Sequence, residues 1–224
     1  MKLIISADDF GYASAYDRGI MEAVDAGAVD AVSVMAGREE LDPFALALAD
    51  VELGLHLELP VARSELAGGG QRRRAMAALD SQLRAFRAAF RRDPAFLDGH
   101  KHCHAAPGLA ALVGRRAADE GLTVRSVDER HRELLRSLGA RTPDRLVGRM
   151  EESDPALPAE VNDLLLGADG VEGIVEWMVH PGHPDPAVGS SYDQGRAEDL
   201  RLLLRLAEEP ALRRLRATHV GALA

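Results

Sequence analysis

The sequence predicts an α/β fold, an irregular or incomplete TIM-like (β/α) barrel folded as one domain over residues 1–224. Three observations predict it. Short apolar or β-branched runs alternate with amphipathic helical stretches, the pattern of βα units around a parallel sheet. Six or seven such runs read as strands, and no internal repeat or low-complexity linker divides them. Acidic, imidazole and guanidinium side chains fall at the ends of those runs, where parallel sheets gather their functional groups on one face.

Each element follows from its own pattern. Lys2–Ser6 is a short buried strand leading to Asp8 and Asp9, and Gly11 then opens the chain. Ser14–Ala26 has helical spacing through Ile20, Met21 and Val24, and Val29–Met35 is β-rich. Glu40–Asp50 reads as a helix, and Val51–Leu59 as a strand that alternates through Leu53, Leu55, Leu57 and Leu59. Gly68–Gly70 marks a loop. Gln71–Arg92 forms a long helix with Met76, Leu79, Leu83, Phe86 and Phe90 on one side, ended by Pro94. Phe96–Asp98 is a strand, Pro107–Glu120 a helix and Thr123–Val127 a strand. Asp128–Asp154 is partly helical, and Pro158–Leu166 is helical. Gly173–Val179 is an apolar strand running into His180, Arg196–Ala207 a helix, and Thr218–Leu223 a last strand.

Composition narrows the function. Hydrophobic residues at 46% and charged residues at 28% suit a globular chain and exclude a disordered one. A net charge of −9 argues against nucleic-acid binding, which relies on clustered Lys and Arg. The Arg-rich stretch from Gln71 to Arg92 carries its arginines opposite an apolar helical face, so it reads as a solvated surface. The single cysteine, Cys103, excludes an internal disulfide and reads as a buried structural thiol. The N-terminus lacks a signal-peptide core and no run is long enough to span a membrane, so no membrane contact and a cytoplasmic location are expected.

Several groups carry chemistry. Asp8 and Asp9 repel one another unless a cation compensates. A metal on one would leave the other as a general base, while the plain alternative is a turn cap beside a solvated acid. His56, between leucines, is a ligand or a satisfied core histidine, and Glu58 on the same strand face could orient it. In Leu97–His104, LDGHKHCH, a continuing strand would put His100, His102 and His104 on one side and Lys101 and Cys103 on the other. A turn after Gly99 would part them. His180 opens HPGHPDP, whose prolines suit a positioned acid or base, and His183 is the plainer turn histidine. Arg125 pairs with a carboxylate or lies on the surface. No Walker, GxGxxG, HExxH or GxSxG motif occurs.

ADDFG, GLHLEL, LDGHKHCHAAP, VRSVD and EWMVHPG, in this order, resemble the YdjC-like carbohydrate deacetylases, which include chitooligosaccharide deacetylases. The resemblance spans residues 3 to about 205. It implies an irregular (β/α) barrel, a small carbohydrate substrate and hydrolysis of N-acetyl groups on amino sugars. It also implies one divalent metal ion, Mg²⁺ or Zn²⁺, held by Asp9, His56 and His100. Asp8 takes the position of the base, His180 that of the acid, and Arg125 resembles an arginine near the base. His102 and His104 fall behind the ligands or on the substrate side. A homodimer is admitted. The family often carries asparagine where this chain has Asp17, and the chain is shorter than many members before LDGH and near the C-terminus, which bears on the sugar groove. Two rivals remain: a metal-containing sugar-binding or regulatory protein without turnover, and a metal-dependent hydrolase of another amide or ester.

Overall fold

A computed structural model of the protein describes residues 2–38, 41–42, 51–59, 69–149, 151, 153–166 and 173–216. The strand expected at Thr218–Leu223 lies outside these residues, as does the helix expected at Glu40–Asp50 apart from Leu41 and Asp42. In chain order the elements are β1 (Lys2–Phe10), α1 (Ser14–Asp25), β2 (Ala31–Val34), β3 (Glu52–Leu57), α2 (Gly69–Phe90) and β4 (Phe96–Gly99). A 3₁₀ segment (His100–Ala105), α3 (Ala110–Glu120), β5 (Thr123–Val124), α4 (Glu129–Ser137) and β6 (Arg145–Gly148) follow. The chain continues through α5 (Ala159–Leu165), β7 (Ile174–Val179), α6 (Asp193–Leu206) and α7 (Pro210–Leu215).

All seven strands join one parallel sheet in the order β5-β4-β3-β2-β1-β7-β6. The α/β class is as the sequence predicts. The sheet is open: β5 and β6, its two edges, do not pair with each other among the described residues. It is also strongly curled. In a flat sheet five steps of ~4.8 Å would separate β5 from β7 by ~24 Å, beyond any arginine's reach. Yet Arg125, just after β5, donates from Nε to Glu176 Oε1 on β7 at 2.8 Å. Across the gap between the edges, Val124 N donates to Arg141 O at 2.8 Å and Ser126 Oγ to Pro143 O at 3.2 Å.

The curl splits each strand's alternation between two environments. Leu3, Ile5 and Ala7 of β1, Val32 and Val34 of β2, Leu53, Leu55 and Leu57 of β3, and Val175, Trp177 and Val179 of β7 join the large core packed under the helices. The residues between them point inward. Ile4, Ala31 and Phe96 form a separate apolar floor inside the curl. Above it come Ser6, Ser33 and Glu176, then Asp8, His56 and Asp98, all buried. The interior thus passes from apolar to ionic in the direction the strands run.

Gly54 makes the floor fit. A Cβ there would stand 2.3 Å from the Phe96 ring, so only glycine leaves Phe96 room to cover the interior. Gly54→Ala is expected to destabilise the fold by about 1–3 kcal/mol through overpacking. Phe96→Leu in the same chain should recover part of that loss. Urea unfolding of the single and double variants checks it, and purely additive losses would show that the two side chains do not compete.

Candidate metal centre

The site begins with a break in β1. Regular alternation would send Asp8 and Asp9 to opposite faces of the sheet. The β1–β2 register shifts between Ala7 and Phe10, and Asp9 takes a φ of 74°. This bulge turns both carboxylates toward the same interior cavity. The chain then closes a tight turn: Tyr12 N donates to Asp9 O at 3.0 Å, and Gly11 N to the Asp17 carboxylate at 2.7 Å. Asp17 thus holds the turn that follows the acids.

Asp9 Oδ1 is the meeting point of the predicted ligand set. It lies 3.1 Å from His56 Nε2 on β3 and 3.0 Å from His100 Nδ1 at the end of β4. Register explains the approach: His56 pairs with Asp98 across β3 and β4, two residues before His100. The stretch LDGHKHCH does not continue as a strand. It turns after Gly99, and Lys101 and His102 adopt φ values of 50° and 54°. The three histidines therefore part. His100 meets Asp9, and His102 lines the cavity. His104 is fully buried with its Nε2 3.0 Å from Arg125 O and is not among the cavity-lining residues. Cys103 is buried, donates to Leu57 O at 3.1 Å, and has its thiol pKa pushed up to about 12 by burial and by the nearby Asp98 charge.

Asp98 does what the sequence offered to Glu58. Its Oδ1 sits 2.7 Å from His56 Nδ1 and also accepts from Ser33 Oγ, which aims His56 Nε2 at Asp9. Glu58 instead forms a two-point pair with Arg38. Arg125 is a buried hub. It donates to Asp8 from both terminal nitrogens, at 2.5 and 2.8 Å, and reaches Glu176 on β7 and Ser6 on β1. One of its nitrogens also lies 2.9 Å from Asp98 Oδ2. His180 follows β7, its Nε2 4.0 Å from Asp8 Oδ2 and its ring 5.1 Å from that of Tyr192. Its backbone N–H donates to Asp199 at 2.9 Å. His183 turns away to Glu22 on α1.

Sequence reasoning missed Asp98, Glu176 and Arg196. Each carried a signal: an acid two residues before His100, a charge inside the apolar run IVEWMV, and an arginine on the buried stripe of α6 with Asp199, Leu200 and Leu203.

The electrostatics favour an added cation. Four buried carboxylates (Asp8, Asp9, Asp98 and Glu176) face two buried guanidinium groups, Arg125 and Arg196, and the nearby buried pair Asp199 and Arg149 adds one of each sign. Burial pushes the Asp8 and Glu176 carboxyls up, with Arg125 opposing. Burial alone would also raise Asp9, but hydrogen bonds from His100 and His56 and the Arg196 charge bring it well below the usual range. Asp98 is held low against burial by Arg125 and His56. Burial works against charge on His56, yet Asp98 and Asp8 raise it well above its ordinary value, so the surplus of negative charge draws a proton there. His180 goes the other way, down to about 3: burial lowers it, as do Arg196, His56 and Arg125, against Asp9.

Asp9, His56 and His100 fit a metal ion. One carboxylate oxygen and two imidazole nitrogens are a donor set for Zn²⁺ or another first-row ion, and Mg²⁺ accepts the carboxylate with waters. Ligand bonds of about 2.1 Å let donor atoms about 3 Å apart share one ion, and Asp9 Oδ1 stands 3.1 and 3.0 Å from the two imidazole nitrogens. A second grouping, Asp8 with His56 and Asp98, lies close enough to qualify. It fits less well, because Arg125 already pairs with both acids and His56 Nδ1 is engaged by Asp98. The cavity beside the triad has a volume of about 450 Å³ and is also lined by Tyr12, Lys101, Arg149 and Tyr192.

A family profile described as YdjC-like protein matches residues 2–214, and the chain belongs to that family. It is 31% identical over 231 residues to a carbohydrate deacetylase of Brevibacillus brevis, covering 91% of each chain. A carbohydrate deacetylase of Geobacillus stearothermophilus is 29% identical over 223 residues, with 89% of this chain and 88% of the relative covered. Among solved structures, an Enterococcus faecalis V583 protein provisionally described as a cellobiose-phosphate cleavage protein superposes with a TM-score of 0.80. Its sequence identity is 22%, and the match covers 100% of this chain and 99% of that one. None of the described helices is long and apolar enough to cross a membrane.

Buried His104 gives the pH response a definite sign. Burial and the neighbouring His102 and His131 lower its pKa well below the ordinary value of 6.5, so the folded state holds it neutral while the unfolded chain takes a proton below about pH 6.5. Its contribution is therefore complete above that pH and is lost as pH falls. His104→Gln, which can keep a bond to Arg125 O, should reduce the slope of unfolding free energy just below pH 6.5 by up to about 1.4 kcal/mol per pH unit. Urea titrations across that range measure it, and an unchanged slope would mean that His104 is protonated in the fold.

Proposed function

We propose that the protein is a metal-dependent carbohydrate N-deacetylase that hydrolyses the acetamide of an amino sugar or a short N-acetylglucosamine oligosaccharide. The observation that carries this reading is the convergence of Asp9, His56 and His100 on one point beside the buried pair of Asp8 and Arg125. The carbohydrate deacetylases among its relatives support the substrate class.

Asp9, His56 and His100 would hold the ion, and Asp98 would keep His56 turned toward it. A divalent cation there polarises an amide carbonyl and acidifies a nearby water. The remaining chemistry belongs to the chain. Asp8 is the base: its raised pKa brings it nearer neutrality, where a proton acceptor is most effective, and Arg125 keeps it ionised and fixed. His180 is the acid that delivers a proton to the departing amine. It is neutral in the free site; the negative charge that builds up as water adds to the carbonyl raises its proton affinity, so it can take up the proton that Asp8 removes, across the 4.0 Å between Nε2 and Asp8 Oδ2, and pass it to the amine. His102 lines the substrate side, while His104 supports the Arg125 backbone from behind.

The protein loaded with Zn²⁺ or Mg²⁺ is expected to release acetate from N-acetylglucosamine oligomers. Asp8→Asn and His100→Ala should each lower turnover by at least about 10²-fold with the circular dichroism spectrum unchanged. Sugar binding without acetate release would favour a non-catalytic role. Undiminished turnover in Asp8→Asn would remove Asp8 as base.

A further inference from the structure

Arg196, on α6, is the second guanidinium of the interior and has no part in the scheme above. It is 3% exposed. Its Nη2 lies 2.5 Å from Asp9 Oδ2, the oxygen opposite the one that meets His56 and His100. Its guanidinium carbon stands 3.8 Å from the centroid of the Tyr16 ring, while Nε and Nη1 have no hydrogen-bond partner among the described residues. The Tyr16 hydroxyl donates to Asp193 at 3.0 Å, at the start of the same helix. Gly182, in the loop after His180, donates from its N–H to Arg196 O at 3.3 Å, and a Cβ on Gly182 would stand 3.3 Å from Arg196 Cδ. The arginine is thus wedged between α1, α6 and the His180 loop, with Asp9 as its one ion-pair partner among the described residues.

We infer that Arg196 is a positioning residue that reserves Asp9 Oδ2 and lowers the affinity of the site for its cation. The inference rests on Asp9, His56 and His100 being the ligands. Two effects follow from the geometry. Occupying Oδ2 leaves Oδ1 as the one oxygen facing both imidazoles, so Asp9 binds through a single atom. A fixed positive charge on the same carboxylate also competes with any second cation, because it compensates Asp9 when the site is empty and repels the ion when it is full. Groups behind a metal ligand usually strengthen the site, as a carboxylate does when it accepts a proton from a ligating imidazole. Asp98 stands in that relation to His56. Arg196 stands in the opposite relation to Asp9, so the two residues act with opposite sign.

The test is isothermal titration of metal-stripped protein with Zn²⁺ and with Co²⁺, the visible Co²⁺ spectrum reporting the ligand arrangement. Arg196→Gln is expected to bind about tenfold more tightly than the unaltered protein, with a changed Co²⁺ spectrum as Asp9 gains a second donor oxygen. Arg196→Lys, which keeps a cation over Tyr16, should stay within about twofold of the unaltered protein and keep its spectrum. Asp98→Asn should bind about 10–100-fold more weakly. Arg196→Met, which keeps packing against Tyr16 without a charge, reads the same affinity should the glutamine variant fail to fold. Equal or weaker binding in folded Arg196→Gln or Arg196→Met overturns the inference and makes Arg196 an ordinary orienting contact, with the deacetylase reading intact. If the unaltered protein takes up neither metal, both fall.

Discussion

The interior ion network around Arg125 is the constraint on which the rest of the structure depends. Its guanidinium touches Asp8 from β1 and Glu176 from β7 and lies beside Asp98 from β4, although it is itself anchored after β5. No flat sheet lets one side chain do this, so curl and network require one another. Removing one partner would strand a buried charge at a cost of several kcal/mol. The apolar floor of Ile4, Ala31 and Phe96 shuts water out from below, which strengthens every charge interaction above it.

That network also explains how two adjacent acids come to have different surroundings. The bulge at Asp9 sends both carboxylates into one cavity, and their partners then separate them. Asp8 is held by a fixed cation and lies 4.0 Å from His180, which suits a group that moves protons. Asp9 faces two imidazoles through Oδ1 while Arg196 holds Oδ2, which suits a ligand that binds through one atom. The surplus negative charge that pulls a proton onto His56 is the charge a divalent ion would take up instead.

Much of the fold was legible because the outer face of each strand packs against helices and keeps a clean apolar alternation, as in Leu53, Leu55 and Leu57. The inner face was harder to read. Glu176 and Asp98 break the apolar pattern because they face an ionic interior, and only their partners on distant strands show this. β6 was missed because RLVG is a half-exposed edge strand with little apolar signal. β1 runs to Phe10, beyond the expected end, since pairing resumes after the bulge with Met35 N donating to Phe10 O. The positions of Asp9, His56, His100 and Arg125 came from motifs at strand ends. The turn that parts His100 from His104 did not, because Lys101 and His102 adopt a backbone conformation that spacing cannot reveal.

Crystals of the protein soaked in Zn²⁺ or Co²⁺ and measured at the metal absorption edge test the central claim most directly. The account predicts one strong anomalous peak in contact with Asp9 Oδ1, His56 and His100, with Asp8 beside the ion and bound to Arg125. A peak centred instead among Asp8, His56 and Asp98, or no peak with the triad intact, would contradict it.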